Sequence, residues 1–232
     1  MKRMILSFGI KGVDSLIGGL PSGSFTVLYG SPTCLTFSFI ASVRAQLPKE
    51  FGGLKSNVIF IDGGNDFNPY TISYICQLLE LDPKKVLDKI YISRAFTAYQ
   101  LTSLIFERLE KAIDDYKAKL VVVSDIIRLF LDKDIPRTEA MDIFPKLSWL
   151  LRNISREKQV AVLATHLPIR RGRRSVFLEA SLFGAADNLI RLEEKNGFLR
   201  VFLEKHPFRK LGFAEINWNH GNGCTLEKFL EA

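Results

Sequence analysis

The chain is poor in the residues that build metal centres and disulfide frameworks. It has three cysteines and three histidines in 232 residues. Cys34, Cys76 and Cys224 stand far apart, with no C-x-x-C pair and no neighbouring histidine. That argues against a disulfide scaffold or a zinc site and makes a reducing cytoplasm the expected setting. His166, His206 and His220 form no cluster either. No window approaches the roughly 20 apolar residues of a membrane span, so no membrane partner is expected. Gly9, Lys11 and Asp14 interrupt the first apolar run too early for a signal peptide. Internal repeats, low-complexity tracts and linkers rich in Gly, Pro or Ser are also missing, and residues 1–232 read as one domain.

The most consequential absence is one lysine. Residues 25–37 read Phe-Thr-Val-Leu-Tyr-Gly-Ser-Pro-Thr-Cys-Leu-Thr-Phe, an apolar strand running into a tight turn. A phosphate-binding loop at such a turn reads G-x-x-x-x-G-K-[ST]. Across Gly30, Ser31, Pro32, Thr33, Cys34, Leu35, Thr36 and Phe37, the second glycine becomes Leu35, the lysine Thr36 and the hydroxyl residue Phe37. Glycine lets backbone N–H groups close round phosphates, lysine supplies the charge, and the hydroxyl holds Mg²⁺. None of the three replacements does this. Leu35 and Phe37 are expected to fill the vacated pocket with apolar bulk, and neither ATP nor Mg²⁺ is expected as a cofactor.

What is present is ordinary for a globular α/β chain: 47% hydrophobic and 25% charged residues. Apolar strand runs at 25–29, 57–61, 90–92, 119–124 and 160–164 alternate with helical patterns at 12–18, 36–47, 69–80, 98–116 and 138–157. This alternation predicts a largely parallel sheet flanked by helices. Segments 188–192, 198–204 and 212–217 are shorter and more polar and read as antiparallel strands extending it. The Lys195-Asn196-Gly197 turn joins two of them. The net charge of +7 favours an anionic partner.

In order along the chain, these motifs resemble the ATPase core of the RecA/RadA recombinases, in particular the archaeal RadA paralogues of RadB-like and KaiC-like type. Gly9–Gly23 (GIKGVDSLIGGLPSG) is similar to the family's opening segment. Residues 59–67 (IFIDGGNDF) resemble I-D-T-E-G-T-F, Phe67-Asn68-Pro69 resembles F-R-P, and 92–96 (ISRAF) resembles A-R-A-[YF]. Leu120–Ser124 takes the place of the second acidic strand, and Thr165-His166-Leu167 that of T-N-Q. The resemblance implies a RecA-like fold. It also implies where the chemistry is altered. The catalytic glutamate falls on Gly64, the metal-associated aspartate on Ser124 with Asp125 adjacent, and the γ-phosphate sensor on Leu167. The basic residue that can contact the base falls on Thr71. Hydrolysis is therefore not expected, and no catalytic residue is assigned.

The remaining candidate is Arg170, Arg171, Arg173 and Arg174, four guanidinium groups within five residues. The resemblance places them in the mobile loop that lines DNA, where they would neutralise phosphates without reading sequence. Lys205, His206, Phe208, Arg209 and Lys210 form a second basic stretch. Asp62 and Asp66 read as a strand-end cap and a loop charge, and the F-x-x-A letters at Phe183–Ala186 as coincidence. The expected function is a non-catalytic accessory factor in recombination or repair, with single-stranded DNA and a cognate RadA-type recombinase as partners. A weak ATPase with a displaced lysine such as Lys11, and a KaiC-like signalling module, stay open as alternatives.

Overall fold

The computed structural model describes residues 4–168 and 172–217. Arg170, Arg171, His220 and Cys224 lie outside them. A two-stranded ribbon of β1 (Ile5–Leu6) and β2 (Leu20–Pro21) brackets α1 (Lys11–Ile17). The main sheet has eight strands in the order β10-β9-β8-β3-β7-β6-β4-β5. These are β3 (Ser24–Gly30), β4 (Asn57–Asp62), β5 (Ile90–Arg94), β6 (Ala118–Ser124), β7 (Ala161–His166), β8 (Asn188–Lys195), β9 (Phe198–Lys205) and β10 (Gly212–Asn217). The run from β8 to β5 is parallel throughout, and β9 runs against it, pairing antiparallel with β8 on one side and β10 on the other. β8 thus departs from the expected antiparallel extension by pairing parallel to β3 on one side and antiparallel to β9 on the other. Asn196 and Gly197, both at positive φ, close the β8–β9 hairpin as expected.

The continuous apolar runs of the central strands follow from burial on both faces. Val58 and Phe60 of β4, with Leu120 and Val122 of β6, enter one core; Ile59, Ile61, Val121 and Val123 enter the other. The first core is covered by α1, α2 (Thr33–Arg44), α3 (Pro69–Leu78) and α4 (Pro83–Leu87). The second is covered by α5 (Ala98–Ser103), α6 (Leu109–Tyr116), α7 (Arg137–Lys158) and α8 (Arg173–Ala185). The helix expected over 98–116 is interrupted by a π turn at Leu104–Arg108. Four of its buried residues, Leu101, Ile105, Leu109 and Ile113, recur every four positions. An α-helix of 3.6 residues per turn rotates such a row off its face, and one wide turn brings it back.

The sequence reading missed two helices. Asp82 caps α4 by accepting from the Lys84 amide at 3.0 Å, with Pro83 in the first turn. The other is α8, which begins at Arg173. Of the arginines expected in a loop, Arg173 and Arg174 are therefore helical.

Candidate functional site

Because β3, β4, β6 and β7 are parallel, Gly30, Asp62, Ser124 and His166 end along one edge of the sheet. Ligands of open α/β sheets bind at this edge. Gly30 has φ +114°, and a Cβ there would overlap the Leu192 carbonyl oxygen of β8. Only glycine lets the strand turn here. The turn is short. Helix α2 starts at Thr33 rather than near residue 36, so only Ser31 and Pro32 separate it from β3.

That early start uses up the backbone donors. The Ser31 amide donates to Leu192 O at 3.0 Å, and Pro32 has no N–H. The Thr33 amide donates to Ser31 Oγ at 3.2 Å. The Cys34 and Leu35 amides donate to the carbonyls of Ser31 and Pro32, each at 3.0 Å. A phosphate loop works by aiming such amides at the ligand. Here the acceptor is internal. Glu194, near the end of β8, takes hydrogen bonds from both the Ser31 and the Thr33 hydroxyls through one carboxylate oxygen. Helix N-termini favour negative charge, and this one already has it.

Beside the turn lies a cleft of about 490 Å³ walled by Tyr29, Gly30, Pro168, Arg191, Glu193 and Glu194. Glu204 accepts from Tyr29 Oη at 2.5 Å and from Arg191 Nε at 2.8 Å. Burial and Glu204 push the Tyr29 phenol well above its usual range. Arg191 also binds Glu193 at 2.9 Å, so its charge is already met by carboxylates. Cys34 is fully buried, which pushes its thiol up and leaves it inert. Phe37 does not fill the cleft. It is buried in the first core against Phe8, ring centroids 5.2 Å apart.

The acidic positions are tied into the scaffold. Asp62 is fully buried and accepts from the Asp66 and Phe67 amides at 2.9 and 3.2 Å, Arg94 Nε at 3.1 Å and Ser124 Oγ at 2.9 Å. It caps the turn after β4, as the sequence reading expected of a strand-end cap. A Cβ on Gly64 would overlap the Asp66 carboxylate, so a larger side chain at 64 and Asp66 in its present place exclude each other. Asp66 Oδ2 is buried without a hydrogen-bond partner, and burial together with nearby Asp125 raises the Asp66 carboxyl above its usual range.

Asp125 follows β6 at φ +41°, which breaks strand alternation and turns its buried carboxylate toward β7. Its Oδ1 accepts from the Leu167 amide at 3.3 Å and lies 3.8 Å from His166 Nδ1. His166 is buried, and its Nε2 meets Glu179 of α8 at 3.2 Å. The structure thus brings Asp62, Gly64, Asp66, Ser124, Asp125 and His166 together. Among the described residues no group of His, Cys, Asp and Glu has the geometry to hold a metal ion.

The basic candidates divide. Arg173 is exposed at the start of α8. Arg174 is turned inward and donates to Ile135 O at 3.0 Å. Lys205 donates to the carbonyls of Phe183 and Gly184, each at 3.0 Å, at the end of α8. Arg209 donates to Ser15 O and Leu16 O at the end of α1, at 2.7 and 3.2 Å. Cations at helix C-termini stabilise the exposed carbonyls and the dipole. Glu194, the residue that completes the turn, was missed from sequence. Its register beside Gly30 depends on the β3–β8 pairing, for which no local signal exists. Phe183–Ala185 ends α8 and Ala186 follows it in extended conformation, with Ala185 and Ala186 buried. No described helix is long and apolar enough to cross a membrane.

Comparison with known proteins follows the same outline. The Rad51 family model matches residues 1–171. The meiotic recombination protein DMC1 of Saccharomyces cerevisiae is 31% identical over 167 residues, covering 69% of this chain and 50% of that protein. The DNA repair and recombination protein RadA of Cenarchaeum symbiosum is 29% identical over 168 residues, covering 70% of this chain and 42% of its own length. The chain spans about half the length of the curated relatives it matches. With a RecA-like largely parallel core and a family match over most of its length, the chain belongs to the Rad51 family.

Proposed function

We propose that this protein is a non-hydrolysing member of the Rad51 family that serves DNA recombination or repair as an accessory factor. It is a paralogue of RadA type with a degenerate phosphate loop. The observation that carries this reading is the Glu194 carboxylate bonded to Ser31 and Thr33 where α2 begins. A nucleotide triphosphate would have to displace a covalently tethered anion. It would then meet no lysine and no free amide in the turn. Glu193 and Glu204 beside it oppose phosphate further. Gly64, Ser124 and Leu167 supply no base, metal ligand or sensor in place of those the family uses.

The partners follow from what remains exposed. Arg173 opens α8, and Arg170 and Arg171 precede it in sequence. Together they supply the phosphate-neutralising charge for single-stranded DNA. Strand β5 ends the sheet on one side, with Ile92, Phe96 and Tyr99 exposed beside it. An aromatic-flanked sheet edge suits docking of another protein core, and a RadA-type recombinase is the partner that a recombination role calls for. The test is ATP turnover with single-stranded DNA present, alongside DNA binding by wild type and the R170A/R171A/R173A triple variant. The reading expects no turnover and a weaker, less salt-dependent association in the variant. Turnover that survives purification, or equal DNA binding by the variant, overturns it.

A further inference from the structure

At the opposite edge of the sheet, where β3 and β8 begin, is a cleft of about 430 Å³. Ser24, Arg156, Gln159, Asn188, His206 and Phe208 are among its walls. Its volume falls in the range of small-molecule sites. Three features give it a chemistry. Asn188 is 3% exposed, and its Nδ2 donates to Thr26 Oγ1 at 2.9 Å while its Oδ1 has no partner. Turning the amide over exchanges the atoms but still leaves one arm unmet, and an unmet buried polar group is costly. The His206 Nδ1 accepts from the Phe208 and Arg209 amides at 3.0 and 2.9 Å, so the ring proton is on Nε2. Those bonds also fix the turn that presents Phe208, whose side chain is 83% exposed.

An aromatic face beside a half-occupied amide and an imidazole N–H matches a flat ligand with hydrogen-bonding groups on its rim. The surroundings carry surplus positive charge. Asp187 is shared by Arg152 and Arg156 at 3.0 and 2.9 Å, and Lys210 is exposed next along the turn. We propose that this cleft takes one unpaired nucleobase of a single strand, stacked on Phe208 with its edge toward Asn188 and His206. Its phosphates lie toward Arg156 and Lys210. The contact is separate from the arginines near Gly172 and lies at the other edge of the sheet. Base-on-aromatic stacking tolerates any sequence, because every base has a π-face.

The experiment compares oligothymidylate with an abasic strand of equal length, each titrated into wild type, F208A, F208W and the R170A/R171A/R173A variant. Phe208 is exposed, so its replacement leaves the fold intact. The expected result is that F208A binds oligothymidylate about tenfold more weakly, that F208W restores binding, and that F208A and wild type bind the abasic strand equally. The arginine variant should weaken both strands alike and flatten the salt dependence, so failure of the arginine loop and failure of the cleft look different. Equal binding of oligothymidylate by wild type and F208A overturns the proposal. So does an F208A defect confined to capture of a protein partner, with DNA affinity unchanged.

Discussion

Removing the Glu194 carboxylate leaves two hydroxyls at the start of α2 without their shared acceptor. E194A is expected to cost about 1–3 kcal/mol, the usual penalty for unmet buried polar groups, read from chemical denaturation. It should not create a nucleotide site, because the amides of Ser31, Thr33, Cys34 and Leu35 keep their present acceptors. Asp66 has the opposite sign. Its carboxyl is raised by burial and by Asp125, so the unfolded chain ionises first. The resulting penalty is full above the folded pKa and vanishes as the pH falls below the ordinary value of 3.8. D66N is therefore expected to stabilise the protein by up to about 1 kcal/mol at neutral pH, a gain that melting curves should show shrinking toward pH 4. Wild type matching D66N across that range would refute the assignment. At this scale the sequence exposes what has been lost, since a missing lysine is visible in a string. It does not expose the substitute. Glu194 is 164 positions from Gly30 along the chain and reaches the turn only because β8 pairs with β3.

At the scale of elements, two cations of the second basic stretch are spoken for by helix ends. Lys205 holds the last turn of α8, and Arg209 the last turn of α1. R209A is expected to lower stability by roughly 1 kcal/mol and to leave affinity for DNA within a factor of two. A thermal melt and a DNA titration on the same sample check both, and a tenfold loss of DNA affinity without a stability change would contradict the capping role. His206 links this turn to pH. Burial and Arg209 lower its pKa below 6.5, so the stability it provides is kept above the ordinary value and lost as the pH falls through the folded one. Strand positions were legible because strands buried on both faces are written as unbroken apolar runs. Helix α8 was not, because four arginines at its threshold read as a loop. The π turn is implied by the four-residue spacing of Leu101, Ile105, Leu109 and Ile113, a pattern that also passes for a slightly drifting α-helix.

At the scale of the whole molecule, the Rad51-family core has a largely parallel sheet, while the turn after β3 is closed from within by Glu194. A RecA-like scaffold was readable from motifs in sequence order, since each marks a strand end and parallel topology gathers strand ends on one edge. What that edge now does was not readable, because it depends on side chains contributed by β8, by the left-handed turn at Asp125 and by the inward path of Arg174. In the function proposed above, the altered edge and the exposed aromatic side of β5 belong to a scaffold retained for its surfaces. The central claim is that this surface works without nucleotide. Calorimetric titration of ATP and ADP with Mg²⁺ into the purified protein tests it most directly. The account predicts no heat of binding and no thermal stabilisation at millimolar nucleotide. Saturable binding with a rise in Tm would show that the Glu194 carboxylate yields to phosphate, and would contradict it.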